Sequence, residues 1–596
     1  FNGEIYNYVE LGEDLRDQGV QLRSRSDTEV LVELYSRLGP AMVHELRGMF
    51  ALAVWDRENR HLFAARDPFG IKPLFYAVDD NGLLRFASEK KALLAPWLGT
   101  GGRFHAAGPG PGPCPGPEPE PEPAVDQDVL RRYLAFQYVP GPATLSPDIH
   151  ALPPGHTLSA TPGRPLVLRR YWRPDLRPAR RPRPHTTQRL VGALRDSVRV
   201  HLRSDVPVGA FLSGGIDSAA ICALAREHRP DLPTFTVGFD QPGYDETDLA
   251  RRTATALGLI TTSRLISARD VVEQLPRIVW HLDDPLADPS AVALWFLAEE
   301  AAREVKVVLS GEGADELFGG YRIYRQPWVV RAGGQLPEWT TGALRRLAAR
   351  LPEGLRGRGL LHRISTPLAH RYIGNAHVFD DEQLDRITAT RGSRGGRGAG
   401  PYDVTTPLHA QAADDELDDV ATMQLVDIAT WLPGDILAKA DRMTMAHSLE
   451  LRVPFLDPAV FATATRLSRP DKLDGRETKH ALRRALARLL PPDVVSRPKL
   501  GFPVPTRHWL AHDLAPWAEE ILRTASIDEH IDRRVALDLL ARHRAGTADH
   551  SRRLWCLLIF ALWHQVFVEG RYRFAEKPGE PSPFRPNNRE RAVVVR

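Results

Sequence analysis

Two glycine-rich stretches in this sequence carry residue types that could handle a phosphate. The first is Ser213-Gly214-Gly215-Ile216-Asp217-Ser218. Its glycines let backbone amides approach an anion without interference from a Cβ. Ser213 and Ser218 add hydroxyl donors, and a helix starting there adds partial positive charge. Asp217 would repel phosphate unless it holds a cation such as Mg2+ that bridges protein and phosphate oxygens. No Gly-Lys-Ser/Thr follows, so the loop is not of the Walker A kind. The second stretch is Ser310-Gly311-Glu312-Gly313-Ala314-Asp315-Glu316-Leu317-Phe318-Gly319-Gly320-Tyr321. Three acids, Glu312, Asp315 and Glu316, crowd between glycines, which is costly beside a phosphate without a cation. Asp315 is therefore the expected second Mg2+ ligand beside Asp217. The glycine spacing superficially fits a dinucleotide loop, but its acidic filling argues against that use.

The elements around these loops alternate. Residues 206–212 read as a strand and 218–227 as a helix; Thr234–Phe239 reads as a strand and 247–257 as a helix. A further strand covers 305–309. Such alternation predicts a parallel sheet flanked by helices. Ligands of open α/β sheets sit beyond the carboxyl ends of the strands, where both loops emerge, so the loops can converge on one nucleotide. The strand Thr234–Phe239 ends where an adenine could lie, with the backbone of Val237 reading its edge; a plain core strand fits these residues equally well.

At 596 residues and 66.5 kDa, two or three domains are expected. Residues 1–98 read as an α+β module with short strands at 49–55, 61–65, 74–77 and 83–87. A helix over 28–38 follows the cap candidate Ser26-Asp27. Residues 99–126 read as a Pro/Gly/Glu-rich linker, 127–575 as the second domain with a helical carboxy-terminal part after 410, and 576–596 as a tail. The run at 391–401 has the composition of a disordered insertion. Formal charge is +3, from 78 basic and 75 acidic residues, which gives no global pull toward nucleic acid or membrane. Cys114, Cys222 and Cys556 are far apart and form no Cys-x-x-Cys pair, so neither a disulfide framework nor a zinc site is expected. A reducing, cytoplasmic location follows. There is no long apolar run and no signal peptide.

With the stretch Asp435-Ile436-Leu437-Ala438-Lys439-Ala440-Asp441-Arg442, continuing through Arg452-Val453-Pro454-Phe455-Leu456-Asp457, the two loops resemble the glutamine-dependent asparagine synthetases of the bacterial B type. Tyr138-Val139-Pro140-Gly141-Pro142, Leu152-Pro153-Pro154-Gly155-His156, Arg170-Tyr171-Trp172 and Lys499-Leu500-Gly501-Phe502-Pro503 extend the resemblance over nearly the whole chain. It implies an α/β parallel-sheet ATP-pyrophosphatase domain of the adenine nucleotide α-hydrolase type. It further implies that Leu212, Val237, Ser310 and Gly311 contact ATP beside the phosphate loop, and that Asp217 and Asp315 hold Mg2+. Lys499 would neutralise charge on the α-phosphate, and Glu312 would orient or deprotonate ammonia. A carboxylate attacking an α-phosphate brings anion toward anion, and a metal plus a fixed cation offset that. The implied substrates are aspartate, ATP and either glutamine or ammonia, and a homodimer is common in the family.

The opening Phe1-Asn2-Gly3-Glu4-Ile5-Tyr6-Asn7-Tyr8 resembles part of a class II glutamine amidotransferase domain, a four-layer αββα N-terminal-nucleophile hydrolase. Asn2 and Gly3 match its oxyanion-hole positions. Glu4 and Asp27 match the groups that bind the α-amino end of glutamine. The family's terminal cysteine nucleophile and its carboxylate-clamping guanidinium have no counterpart here. The amino-terminal module is therefore expected to be incomplete, by roughly seventy residues against a typical domain size. Glutamine use is expected of the full-length protein, and ammonia use of the chain as written. Three competing readings differ in class. A paralogous amidotransferase acting on another carboxylate would keep the same ATP and metal residues. A tRNA-thiolating enzyme would need a basic RNA face and paired cysteines. A non-catalytic nucleotide-binding remnant would not need Asp217, Asp315, Glu312 and Lys499 intact.

Overall fold

The computed structural model describes residues 1–79, 81–98, 124–179, 185–325, 330, 336–351, 357–388, 400–475, 477–498, 504–572 and 574. Lys499, Cys114, the Pro/Gly/Glu-rich stretch up to residue 123, the run 391–399 and the tail 576–596 lie outside them.

The amino-terminal part is built on antiparallel strands β1 (Asn2–Ile5), β2 (Gly48–Asp56), β3 (His61–Arg66), β4 (Phe75–Val78) and β5 (Leu84–Ala87). The expected helix is present as Asp27–Leu38, and the Ser26 side chain caps it by accepting from the Thr28 amide. Three strands beyond the linker, β6 (Ile149–Ala151), β7 (His156–Ala160) and β8 (Val167–Arg170), also belong to these sheets. One sheet runs β1-β2-β3-β7-β8 and the other β5-β4-β6. Sequence alone assigns 149–170 to the second domain. Pairing assigns them here, because the open edges of β3 and β4 need partners. Ile5, Leu31, Leu34, Phe50 and Phe63 form a core between helices and the first sheet. Ala51, Ala64, Leu74, Leu152 and Leu158 form another between the two sheets. The described residues of this part thus form a helix–sheet–sheet stack.

The second half is organised by a five-stranded parallel sheet. Its strands are β9 (Val208–Phe211), β10 (Thr234–Phe239), β11 (Thr261–Ile266), β12 (Val307–Leu309) and β13 (Glu450–Arg452), in the order β11-β10-β9-β12-β13. Every pairing is parallel. All six residues of β10 are buried, as expected of a strand covered on both faces. The chain winds outward from β9 through β10 to β11, then returns to β12 on the other side of β9. The reversal places a crevice beyond the adjacent carboxyl ends of β9 and β12. Residues 400–401, expected within an insertion, open the helix Pro401–Asp414. The remainder is largely helical, ending in the buried helix Ser551–Phe567. Among the described residues no helix is long and apolar enough to cross a membrane.

The two halves are packed together. Phe69 meets Phe461 edge-on at 5.3 Å between ring centroids. Lys72, almost fully buried, donates to Asp441 at 2.8 Å. Arg47 reaches Asp457 at 2.8 Å and Asp196 at 2.7 Å.

Candidate active site

The first loop follows β9 directly. Leu212 is buried at its start, and the helix Ile216–Arg226 begins within it, with Asp217 in the first turn. The hydroxyls of Ser213 and Ser218 hold the loop's own shape. The Ser213 amide donates to Ser218 Oγ at 3.2 Å, and Ser218 Oγ donates to the Gly215 carbonyl at 3.2 Å. The second loop follows β12, and the Ser310 amide donates to the Arg452 carbonyl of β13 at 2.9 Å. The two loops touch at a glycine: a Cβ on Gly311 would lie 3.0 Å from the Cβ of Asp217 and from the Ser218 amide nitrogen. Together they line a cleft of about 410 Å³ that also receives Val237 from β10, Glu312, Asp315, Trp431, Lys439, Lys479 and Arg497.

Asp217 and Asp315 converge, as the loop spacing predicts, and a protein cation stands between them. Lys479 Nζ donates to Asp217 Oδ2 at 2.5 Å and lies 2.6 Å from Asp315 Oδ1. Burial pulls the Lys479 ammonium down, but the two carboxylates outweigh it and hold its pKa above the ordinary value. The contact requires a glycine opposite it. A Cβ on Gly320 would lie 1.8 Å from Asp315 Oδ1 and 2.2 Å from Lys479 Cε. Lys479 itself has φ 57 and ψ 33, the left-handed region that a residue with a Cβ rarely adopts. It joins a two-residue strand to the helix His480–Leu486.

A second carboxylate–lysine–carboxylate cluster contributes Asp288 and Lys439 to the lining of the cleft. Lys439 Nζ donates to Asp288 Oδ2 at 2.6 Å and to Asp435 Oδ1 at 2.8 Å. Glu312 faces this cluster. Burial raises its pKa to about 7; Lys439 opposes the rise, while Glu316, Asp315 and Asp288 add to it. Arg497 donates to the Gly214 carbonyl and so brings a guanidinium to the rim of the phosphate loop.

At the amino-terminal end, Asn2, Gly3 and Glu4 lie along the edge strand β1, with Asp27 beside it. Asn2 Nδ2 donates to Ser88 Oγ at 3.2 Å, and the Ile5 amide donates to Asp27 Oδ2 at 3.3 Å. Gly3 packs so closely on β2 that a Cβ would meet the Met49 carbonyl oxygen at 2.0 Å. Glu4 turns toward the other half, where Arg452 Nη2 donates to its carboxylate at 3.1 Å. Burial raises the Glu4 pKa to about 7 against the pull of Arg452.

An asparagine synthase family profile matches residues 189–565, and a glutamine amidotransferase domain profile matches 1–100. Asparagine synthetase [glutamine-hydrolyzing] 1 of Bacillus subtilis is 42% identical over 98% of this chain and 87% of its own length. A putative asparagine synthetase [glutamine-hydrolyzing] of Mycobacterium tuberculosis is 46% identical over 96% of this chain and 84% of its own. The chain belongs to the glutamine-hydrolysing asparagine synthetase family. A more distant relative, amidase chry2 of Gibberella zeae, is 27% identical over 88% and 80% of the two chains.

Both acids are legible in the sequence, but the lysine that joins them is not. Lys479 sits in a short turn without glycine punctuation or a long apolar run. One signal could have found it. The chain has nine lysines among 78 basic residues, and Lys72, Lys90, Lys439, Lys472 and Lys479 are all buried. Where arginine serves nearly every exposed position, a retained lysine marks a place that needs a compact point charge. Lys439 stands in the stretch Asp435–Asp457, whose charged residues carry no individual role in the sequence reading, and Arg497 carries no motif signal of its own.

The acids also fit a divalent cation. Mg2+ is commonly held by one or two carboxylates completed by phosphate oxygens and water. Lys479 shows that the position between Asp217 and Asp315 demands positive charge. Among the described residues no group of three or more His, Cys, Asp or Glu side chains is arranged for a metal.

Proposed function

We propose that this chain makes asparagine from aspartate in an ATP-dependent reaction, drawing nitrogen from glutamine. The observation that carries the reading is the convergence of Asp217 and Asp315, from loops after the adjacent strands β9 and β12, on a single cation in one cleft. The phosphate loop Ser213–Ser218 would take the phosphates, with Leu212, Val237, Ser310 and Gly311 around the nucleotide. Mg2+ held by Asp217 and Asp315 would withdraw charge from the triphosphate. Lys479 and Arg497 supply fixed positive charge at the same end of the cleft, and Lys499 would add another at the α-phosphate.

An aspartate β-carboxylate oxygen would attack the α-phosphorus, and pyrophosphate would leave. Ammonia would then add to the acyl carbon of β-aspartyl-AMP, with AMP as leaving group. Glu312 would take the proton the nitrogen sheds. A carboxyl with a pKa near 7 is well matched to that task at neutral pH. On the amino-terminal side, Asn2 and Gly3 would stabilise an oxyanion, while Glu4 and Asp27 would hold the glutamine amine. Free ammonia would serve the same synthetase cleft, a cytoplasmic homodimer being the assembly this reading carries with it.

Aspartate is favoured over another carboxylate acceptor because the relatives named asparagine synthetase share 42% and 46% identity with the chain, against 27% for the amidase. The test is pyrophosphate release and amide formation with ATP, Mg2+, a nitrogen donor and a panel of carboxylates. Turnover with aspartate well above all others supports the reading; turnover confined to a different carboxylate replaces it.

A further inference from the structure

A second cavity lies apart from the catalytic cleft and shares no lining residue with it. Its volume is about 130 Å³, too small for a nucleotide, and it is lined by Arg322, Ile323, Arg325, Arg363, Arg371 and Tyr372. Four of these six are arginines and none is acidic. Arg322 opens, and Arg325 follows, a single turn of 3-10 helix, Arg322–Tyr324, that comes after the second nucleotide loop. Arg363 comes from the helix Arg358–Ser365, and Arg371 closes the short helix Leu368–Arg371. Three separate elements thus bring guanidinium groups to one hollow.

Like charges gathered this way repel, and among the described residues the lining supplies no carboxylate, so an anion in the hollow would lower that repulsion. The Nε of Arg325 is buried and has no hydrogen-bond partner among the described residues. Arg371 is held below its ordinary pKa by burial, and the Arg363 guanidinium adds to this; Asp419 opposes it from outside the cavity. Charge is also concentrated in this part of the sequence. Residues 321–379 contain ten arginines, no lysine or aspartate and two glutamates, a surplus of +8 in a chain whose total is +3.

We propose that this arginine-lined cavity is a binding site for a phosphoryl dianion. Guanidinium forks match the oxygens of a phosphoryl group two at a time, and the hollow has room for such a group. Inorganic phosphate and pyrophosphate both present that chemistry.

The whole 596-residue chain should be titrated with inorganic phosphate and, separately, with pyrophosphate by isothermal titration calorimetry at low salt. An α,β-methylene analogue of ATP would occupy the catalytic cleft. The wild type is expected to bind one anion per chain. Arg363→Ala and Arg325→Ala are expected to weaken that binding about tenfold or more. Pyrophosphate binding more tightly than phosphate would identify the product-like anion as the ligand, and the reverse would identify free phosphate. Should Arg363→Ala fail to fold, Arg363→Lys, which keeps the charge and loses the fork, is expected to weaken binding several-fold. Isotherms identical in the wild type and in both variants, or no binding up to about 10 mM, would overturn the proposal.

Discussion

Lys479 decides how the carboxylates of the cleft behave. Replacing it by methionine would leave Asp217 and Asp315 facing each other with their shared cation gone. Breaking a largely buried charge cluster costs about 3 kcal/mol, so Lys479→Met is expected to lower the urea midpoint by that equivalent. Added Mg2+ should restore stability to the variant more than to the wild type, because the ion can take the vacated place. Glu312 makes a different kind of prediction. With its pKa near 7, the carboxylate needed to accept a proton is lost as pH falls through that value. Amide formation should therefore rise with pH and level off above about 7 in the wild type, and that limb should vanish in Glu312→Gln, with kcat down about 100-fold. At this scale the sequence was most legible where glycine flanked charge: Asp217, Asp315 and Glu312 all stand in such loops. Lys479 and Lys439 were not legible, because each is defined by partners far away in the chain, Asp217 at one and Asp288 at the other.

The strands and loops divide the same way. β9 and β12 could be read from apolar runs that lead into Ser213 and Ser310, and β10 has the expected bounds Thr234–Phe239. β13 was missed because Glu450-Leu451-Arg452 looks like a polar surface segment. Its charges are buried by satisfying each other and Glu4: Arg452 lies 2.7 Å from Glu450 and 3.1 Å from Glu4. β6, β7 and β8 pair with strands of the amino-terminal sheets, which was not legible because a linker in sequence does not announce where the chain will pair afterwards. What the elements do for the site can be tested at Gly320, where the second loop turns back over Asp315. A methyl group there cannot fit without moving Asp315 or Lys479. Gly320→Ala is expected to destabilise the protein by about 2 kcal/mol and to raise the KM for ATP about tenfold. Unchanged ATP kinetics in that variant would show that the loop–lysine contact is not needed for nucleotide binding.

Across the whole molecule, the two halves are held by buried charge as well as by apolar packing. Lys72 on the amino-terminal side and Asp441 on the synthetase side form the most enclosed of these pairs. Lys72→Ala leaves Asp441 without its cation and is expected to cost about 3 kcal/mol, read as a lower thermal midpoint, with glutamine-supported synthesis falling more than ammonia-supported synthesis. The same frame sets β9 beside β12 and so brings two acids from residues almost a hundred positions apart to one point. That convergence is the basis of the assigned chemistry, and a crystal structure with Mg2+ and a non-hydrolysable ATP analogue tests it most directly. The expected result is one Mg2+ within about 2.1 Å of oxygens from both Asp217 and Asp315 and bridging to the phosphates. Nucleotide bound elsewhere, with both carboxylates still closed on Lys479, would contradict it.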